Sequence, residues 1–331
     1  MTTEAVGGRT ALDRVAARDR ARWTAETFGI VAIAGALVLA FSATSSVFLA
    51  SGNVRNIFVQ ISVVGVAAIG ETLVMLAGGL DLSVGSVVLL SEVLCADLTA
   101  SHHLPLGIAL PAALGTAAAI GLLNGILTAV IGIEPILATL GTLLVAAGLA
   151  KLVLGLRYLQ VDHPVFYELA TNNVLFNLPI MVAVMLGLYI VVALAMRATP
   201  FGRMVYAVGG NRRAARVAGL PVIGVTIAVY TLAGLFSGIA GFLNVAQIGL
   251  VSQNDAVGME FQAIIAALVG GLSVTAGGVG RVERTLLGAL IVGMMTNYQT
   301  IKGIEPAFQQ AFLGGLLLLA VLADRVLRGR Q

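Results

Sequence analysis

The sequence predicts an all-α integral membrane protein, a polytopic bundle of about ten transmembrane helices with both termini in the cytoplasm. Three observations predict it. The 331 residues are 59% hydrophobic and only 11% charged, with a mean hydropathy of +1.00, whereas an average soluble domain carries about 25% charged residues. Long runs contain no charge at all, so lipid is the solvent for much of the chain. The arginines and lysines then gather in alternate connections between those runs, as cytoplasmic loops do.

A crossing needs about 20 apolar helical residues. Ten candidate runs lie at Phe28–Phe48, Phe58–Gly79, Ser83–Ala100, Leu106–Ile131, Ile136–Leu156, Ile180–Met196, Val222–Ala246, Phe261–Leu272, Thr285–Tyr298 and Phe308–Val321. The eighth and ninth are short and interrupted by glycine, so eight or nine crossings with re-entrant pieces is the other count. With the N-terminus inside, cytoplasmic segments collect Arg9, Arg14, Arg18, Arg20 and Arg22, then Arg197, Arg203, Arg212, Arg213 and Arg216, then Arg281 and Arg284, then Arg325, Arg328 and Arg330. Only Arg55, Lys151, Arg157 and Lys302 fall elsewhere. This places both ends in the cytoplasm and requires an even number of crossings. It divides the chain into a cytoplasmic tail 1–27, a membrane domain 28–323 containing an inner loop 198–221, and a cytoplasmic tail 324–331. The first tail mixes Glu4, Asp13, Asp19 and Glu26 with its arginines and has no cleavage site after the first apolar run, so it is read as a soluble tail and not a signal.

The isoelectric point near 9.3 comes from basic residues scattered over loop ends without interleaved aromatics, which is topology and not nucleic-acid binding. The single cysteine, Cys95, rules out an intrachain disulfide and a cysteine-based zinc cluster. His102, His103 and His163 lie in outer loops away from cysteines and carboxylate clusters, and no metal site is expected. Neither Lys151 nor Lys302 sits in a Gly-Lys-Ser/Thr sequence, so the chain has no phosphate-binding Walker loop. No enzyme activity and no bound cofactor are expected of it.

Within the runs, glycine spacing is informative. Gly121 with Gly125, and Gly234 with Gly238, form GxxxG pairs that let helix backbones approach closely. The segment Ala77-Gly-Gly-Leu-Asp-Leu-Ser-Val-Gly-Ser86 breaks an apolar stretch without inserting a real loop. Gly78 and Gly79 end one helix, and Asp81 or Ser83 caps the next. The plain reading is a tight cytoplasmic turn; the alternative is a broken helix whose polar ends face a translocation path. A weaker echo, Gly270-Gly-Leu-Ser-Val-Thr275 followed by Gly277-Gly-Val-Gly280, points to an internal duplication. Ionisable groups inside a span cost about 2.5 to 3.5 kcal/mol each. Glu71 is the first candidate for a polar path or inter-helix contact, with Glu92 and Asp97 in the next run. Lys151 is read as snorkelling from a span end. Asn124 and Asn244 are either hydrogen-bonding glue or path-lining groups. The outer loop from Arg157 to Pro179, with Asp162, His163, Glu168, Asn172 and Asn173, is a candidate docking surface. In the inner loop, Asn211 caps a short helix through Ala218, which Gly219 and Pro221 end.

Several strings, taken together and in order, carry a resemblance. GETLVMLAGGLDLSVGSVV, GLLNGILTAVIGIEPILATLGTLLVAAGLA, TPFGRMVYAVGGNRRAARVAGLPV and AALVGGLSVTAGGVGRVERTLLGALIVGMM resemble successive blocks in the permeases of ribose-, xylose- and galactose-type ABC importers. The likeness runs from about Asn53 to Asp324. It departs from the family's pattern at Glu71, Glu134, Arg213 and Arg284. The resemblance implies an inner-membrane permease that pairs with a second copy or a paralogue. It also implies two cytoplasmic ATPase subunits, which hold the ATP and Mg, and a periplasmic binding protein that delivers a sugar or similar small polar solute. It marks Asn211, Arg212, Arg213, Ala214, Ala215, Arg216 and Gly219 as the coupling segment docked on the ATPase, with Ala214 and Ala215 small enough for close docking. Glu71, Gly78, Gly79, Asp81, Ser83, Asn124 and Asn244 remain the path candidates. An ion-coupled secondary transporter using Glu71 is the rival class; a coupling helix would have no purpose in it.

Overall fold

The computed structural model describes residues 27–175 and 178–328. The predicted tail arginines Arg9 to Arg22, and Arg330, lie outside the described residues. Each apolar run coincides with a helix: α1 (Thr27–Thr44), α2 (Ser51–Leu76), α3 (Val84–Ala100), α4 (Leu106–Ile126, extended by a π turn to Ile131), α5 (Pro135–Leu154), α7 (Ile180–Ala198), α10 (Val222–Ile248), α11 (Met259–Val269), α12 (Val282–Ile301) and α13 (Pro306–Arg328). Between them lie α6 (Pro164–Thr171), α8 (Pro200–Gly210) and α9 (Arg212–Val217). The only described strands are β1 (Leu159–Gln160), β2 (Asn173–Leu175), β3 (Leu178–Pro179) and β4 (Leu250–Val251), which form two small antiparallel pairs. The protein is therefore an all-α membrane protein.

Seven of the helices are long and apolar enough to cross a bilayer. α3, α11 and α12 are not among them. α11 has 11 residues and rises only about 16 Å, about half of a hydrocarbon core. The eighth run does not form a full-length helix because Gly270 and Gly271 end it, and its first turn abuts the first turn of α3: a Cβ on Gly85 would overlap the Glu260 carboxylate. The other difference lies at the far end, where α13 continues through Arg328 past the predicted boundary at 323.

α2 and α10 form the centre. Most of α2 is buried, along with more than half of the apolar stretch of α10, and the two pack on each other and on α3, α4, α7, α11 and α12. The two GxxxG pairs meet: a Cβ on Gly234 would stand 3.0 Å from Gly121 Cα, and one on Gly125 would stand 2.7 Å from Ile227 Cα. Where lipid is as apolar as leucine, such backbone approach is a main source of helix association. By contrast α1 and α13 are almost wholly exposed along their apolar stretches. α1 is held to α12 at one end, where Phe41 stacks on Tyr298 at 4.0 Å and Thr44 hydrogen-bonds the Tyr298 hydroxyl at 2.8 Å.

The two ends of the bundle differ. One carries α6, the β1–β4 pair, Arg55 donating to Ala170 O at 2.8 Å and Arg157 donating to Leu154 O at 3.1 Å. The other carries α8, α9, the Gly78 turn, the Gly270–Gly280 turn, and an ion pair of 2.6 Å between Arg197 and Glu283.

Candidate functional site

At the break between α2 and α3 the backbone leaves the helix through Gly78, whose φ of 80° is left-handed and favours glycine. The polar groups that follow are fully sequestered. The Asp81 carboxylate accepts from Ser83 N at 2.8 Å and from Ser83 Oγ at 2.6 Å. Asn124 Nδ2 of α4 donates to Ser83 Oγ at 2.9 Å, and Thr142 Oγ1 of α5 donates to Asn124 Oδ1 at 2.6 Å. Leu82 N reaches Thr139 Oγ1 at 3.1 Å. Glu71, one helical stretch earlier, accepts from Asp81 N through Oε1 at 3.4 Å; its Oε2 has no hydrogen-bond partner among the described residues. Tyr230 covers Gly79 and donates to Leu80 O at 3.4 Å. Glu71, Gly78, Gly79, Asp81, Ser83 and Asn124 are thus one connected cluster, and Asn124 bridges helices. Asn244 lies elsewhere, donating to Glu92 Oε2 at 2.9 Å.

The second glycine-rich turn, between α11 and α12, has no acid of its own. Ser273 Oγ donates at 2.7 Å, Val274 N at 3.2 Å and Thr275 Oγ1 at 3.2 Å, all to Asp324 Oδ2 of α13. The two turns touch. Gly278 N donates to Leu76 O at 2.8 Å, and a Cβ on Gly277 would come within 2.7 Å of Gly78 Cα. Gly209, at the end of α8, closes the junction: a Cβ there would overlap Leu76 O and stand 2.6 Å from Gly278 N. Tyr206 of α8 donates to Gly280 O at 3.1 Å. The segment leading to the predicted coupling helix therefore rests on both turns at once.

That helix forms from the signals in its sequence. Asn211 Oδ1 accepts from Ala214 N at 2.9 Å, and α9 ends at Gly219, whose φ is 79°, with Leu220 N bonded to Ala215 O at 3.0 Å. Arg213, Ala214 and Arg216 are exposed, while Arg212 donates to Thr226 Oγ1 at 3.1 Å. Ala215 is only 5% exposed and packs against this chain. Val217, at the end of this helix, is 83% exposed. In the segment between α5 and α7, Asp162, Glu168, Asn172 and Asn173 are exposed and His163 is half-buried, its Nδ1 capping α6.

Asn244 instead borders a second polar feature, most of which the sequence does not reveal. Gln60, Asn244, Gln247, Asp255, Gln262 and Thr296 line a cleft of about 210 Å³ between α2, α10, α12 and the start of α11. The amides at 60, 247 and 262, inside or beside apolar runs, were the available signal.

Comparison with known proteins fixes the family. A model described as branched-chain amino acid transport system, permease component, matches residues 53–321. The L-arabinose ABC transporter permease protein of Azospirillum brasilense is 34% identical over 305 residues, covering 92% of this chain and 88% of that protein. The ribose import permease protein of Escherichia coli K12 is 33% identical over 333 residues, covering 98% and 99%. The D-allose transport system permease protein of the same strain is 30% identical over 302 residues, covering 91% of each. No solved structure matches the chain. With a buried polar break in its central helix, a capped helix at one end and relatives of this kind along nearly its whole length, the chain belongs to the branched-chain amino acid transport system permease family, as the permease subunit of an ABC importer.

Proposed function

We propose that this permease carries a monosaccharide across the bacterial inner membrane, with α8 and α9 transmitting the work of a cytoplasmic ATPase. The sugar class rests on the relatives, which are named for arabinose, ribose and allose. The observation that carries the coupling reading is the seat of Gly209, wedged between the Leu76 carbonyl and Gly278. A push on α9 reaches both glycine turns through a rigid eleven-residue helix, α8. The docking contacts in this reading are the residues of α9 that this chain leaves exposed, Arg213, Ala214, Arg216 and Val217.

The arginine distribution supports placing the end with α8 and α9 in the cytoplasm and the end with α6 outside, facing a binding protein. Ten crossings, with α3, α11 and α12 completing the set, are consistent with that placement and with both termini inside. The bare apolar faces of α1 and α13 support contact with lipid or with a second permease copy. ATP and Mg belong to the ATPase in this reading.

Co-expression with the cognate ATPase and binding protein tests the proposal. Val217→Asp is expected to leave the permease inserted and abundant, to reduce ATPase co-purification severalfold, and to abolish uptake of labelled ribose, L-arabinose and D-allose. Unchanged co-purification and uptake would locate the coupling contact elsewhere.

A further inference from the structure

The amide-lined cleft joins four segments that the sequence keeps far apart: the first half of α2, the end of α10, the chain entering α11 and the last third of α12. It sits in the half of the bundle that carries α6 and the β1–β4 pair, away from the glycine junction. Two of its acceptors, Gln60 Oε1 and Gln247 Oε1, are buried with no hydrogen-bond partner among the described residues. A buried amide oxygen left unpaired costs about 1 to 3 kcal/mol, so both favour a donor that arrives from outside. Beside them stand Gln262 and the Thr296 hydroxyl, which donates to Val292 O at 3.0 Å and keeps its lone pairs free to accept. Asp255 is held by Ser252 N at 2.6 Å, and Ser252 Oγ donates to its other oxygen.

We infer that this cleft is a transient binding site for one neutral monosaccharide on its way through the permease. The inference rests on the sugar reading above and names the residues that would touch the sugar. Sugar hydroxyls both donate and accept, which matches amides and a hydroxyl better than it matches any single charge. Among the described residues no arginine or lysine lines the cleft while Asp255 does, which favours a neutral solute over a carboxylate or phosphate. Its volume lies below the roughly 300 Å³ at which drug-sized ligand pockets begin, which admits one ring and not a disaccharide. A handful of adaptable amides also gives the weak binding that a conducting path needs, since a tightly held solute would not leave.

The test uses the assembled transporter, permease with ATPase and binding protein, in proteoliposomes. Labelled ribose, L-arabinose, D-allose and L-leucine are the probes. Gln60→Leu and Gln262→Leu keep side-chain bulk but remove the amides. Each is expected to assemble normally and to lower uptake of the transported sugar by about tenfold at limiting concentration. In a Cys95→Ala background, maleimide labelling of Thr296→Cys is expected to slow severalfold when loaded binding protein delivers that sugar. Wild-type uptake by both leucine variants, or labelling indifferent to sugar, would overturn the cleft while leaving sugar transport standing. Wild-type protein that moves leucine and no sugar would overturn the substrate class, and the cleft with it.

Discussion

The two glycine-rich turns, Gly78–Ser83 and Gly270–Gly280, read alike in sequence and are built differently. The first carries its own carboxylate: Asp81 binds Ser83 within the turn and is enclosed by α3, α4 and α5. The second borrows Asp324 from a helix 50 residues further on. Their glycines also serve different needs. Gly78 has a φ of 80°, and a Cβ added there would meet its nearest neighbours at 3.6 Å, an ordinary van der Waals contact. Gly277 has no left-handed φ but no space, with backbone atoms at 2.6 and 2.7 Å from an added Cβ. At these two positions Gly78 answers a conformational need and Gly277 a close approach, although the second turn also has left-handed glycines at 271, 278 and 280. Two similar strings thus meet different local demands, and the junction between them is where α8 rests.

The largest effect expected from this difference is at the close approach. Gly277→Ala puts a methyl group against the backbones of Gly209 and Gly78, at an overpacking cost of about 1 to 3 kcal/mol. Uptake is expected to be lost. Gly78→Ala meets only the left-handed strain, roughly 1 to 2 kcal/mol, and is expected to keep part of its uptake. Gly210→Ala, with nothing within 4 Å of the added atom, serves as the neutral control. Equal loss in the Gly78 and Gly277 variants, measured as initial uptake rates at matched abundance, would dissolve the distinction.

A smaller effect is expected from the two carboxylates. Asp81→Ala strands Ser83 N and breaks the chain to Asn124 and Thr142 in a fully enclosed place, at about 1 to 3 kcal/mol. Asp324→Ala removes an acceptor from Ser273, Val274 and Thr275, of which Val274 and Thr275 are exposed and can turn to water while Ser273 is buried. Thermal unfolding in detergent should therefore fall further for Asp81→Ala. The reverse order would mean that the borrowed acid is the stronger tie.

Most of the helix positions were legible in the sequence, because a run without charge has few alternatives in lipid. The Asn211 cap and the Gly219 stop were legible for the same reason: their partners are three or four residues away. Long-range pairings were not. Nothing local shows that the GxxxG pairs of α4 and α10 face each other, or that Asp324 serves a turn 50 residues back. The burial of Ala215 was not legible because α9 has only six residues, too few for a periodic pattern to reveal its buried side. The amide cleft stayed hidden because its six polar residues are spread over four segments and each looks incidental alone.

The smallest expected effect concerns Glu71, which belongs to the first turn and has no equivalent at the second. Its Oε1 takes a long hydrogen bond of 3.4 Å from Asp81 N, and its Oε2 takes none among the described residues. Glutamine at this position keeps the size and the accepting oxygen while removing the charge. Glu71→Gln is therefore expected to transport near the wild-type rate with no change in the ATP requirement, and Glu71→Leu, which strands Asp81 N, to transport poorly. That pairing would make Glu71 a polar contact that steadies the broken helix. Loss of uptake in Glu71→Gln, together with wild-type uptake driven by a proton gradient without ATP, would instead make it a proton carrier. The first turn would then be a site of chemistry that the second, with only its borrowed aspartate, could not match.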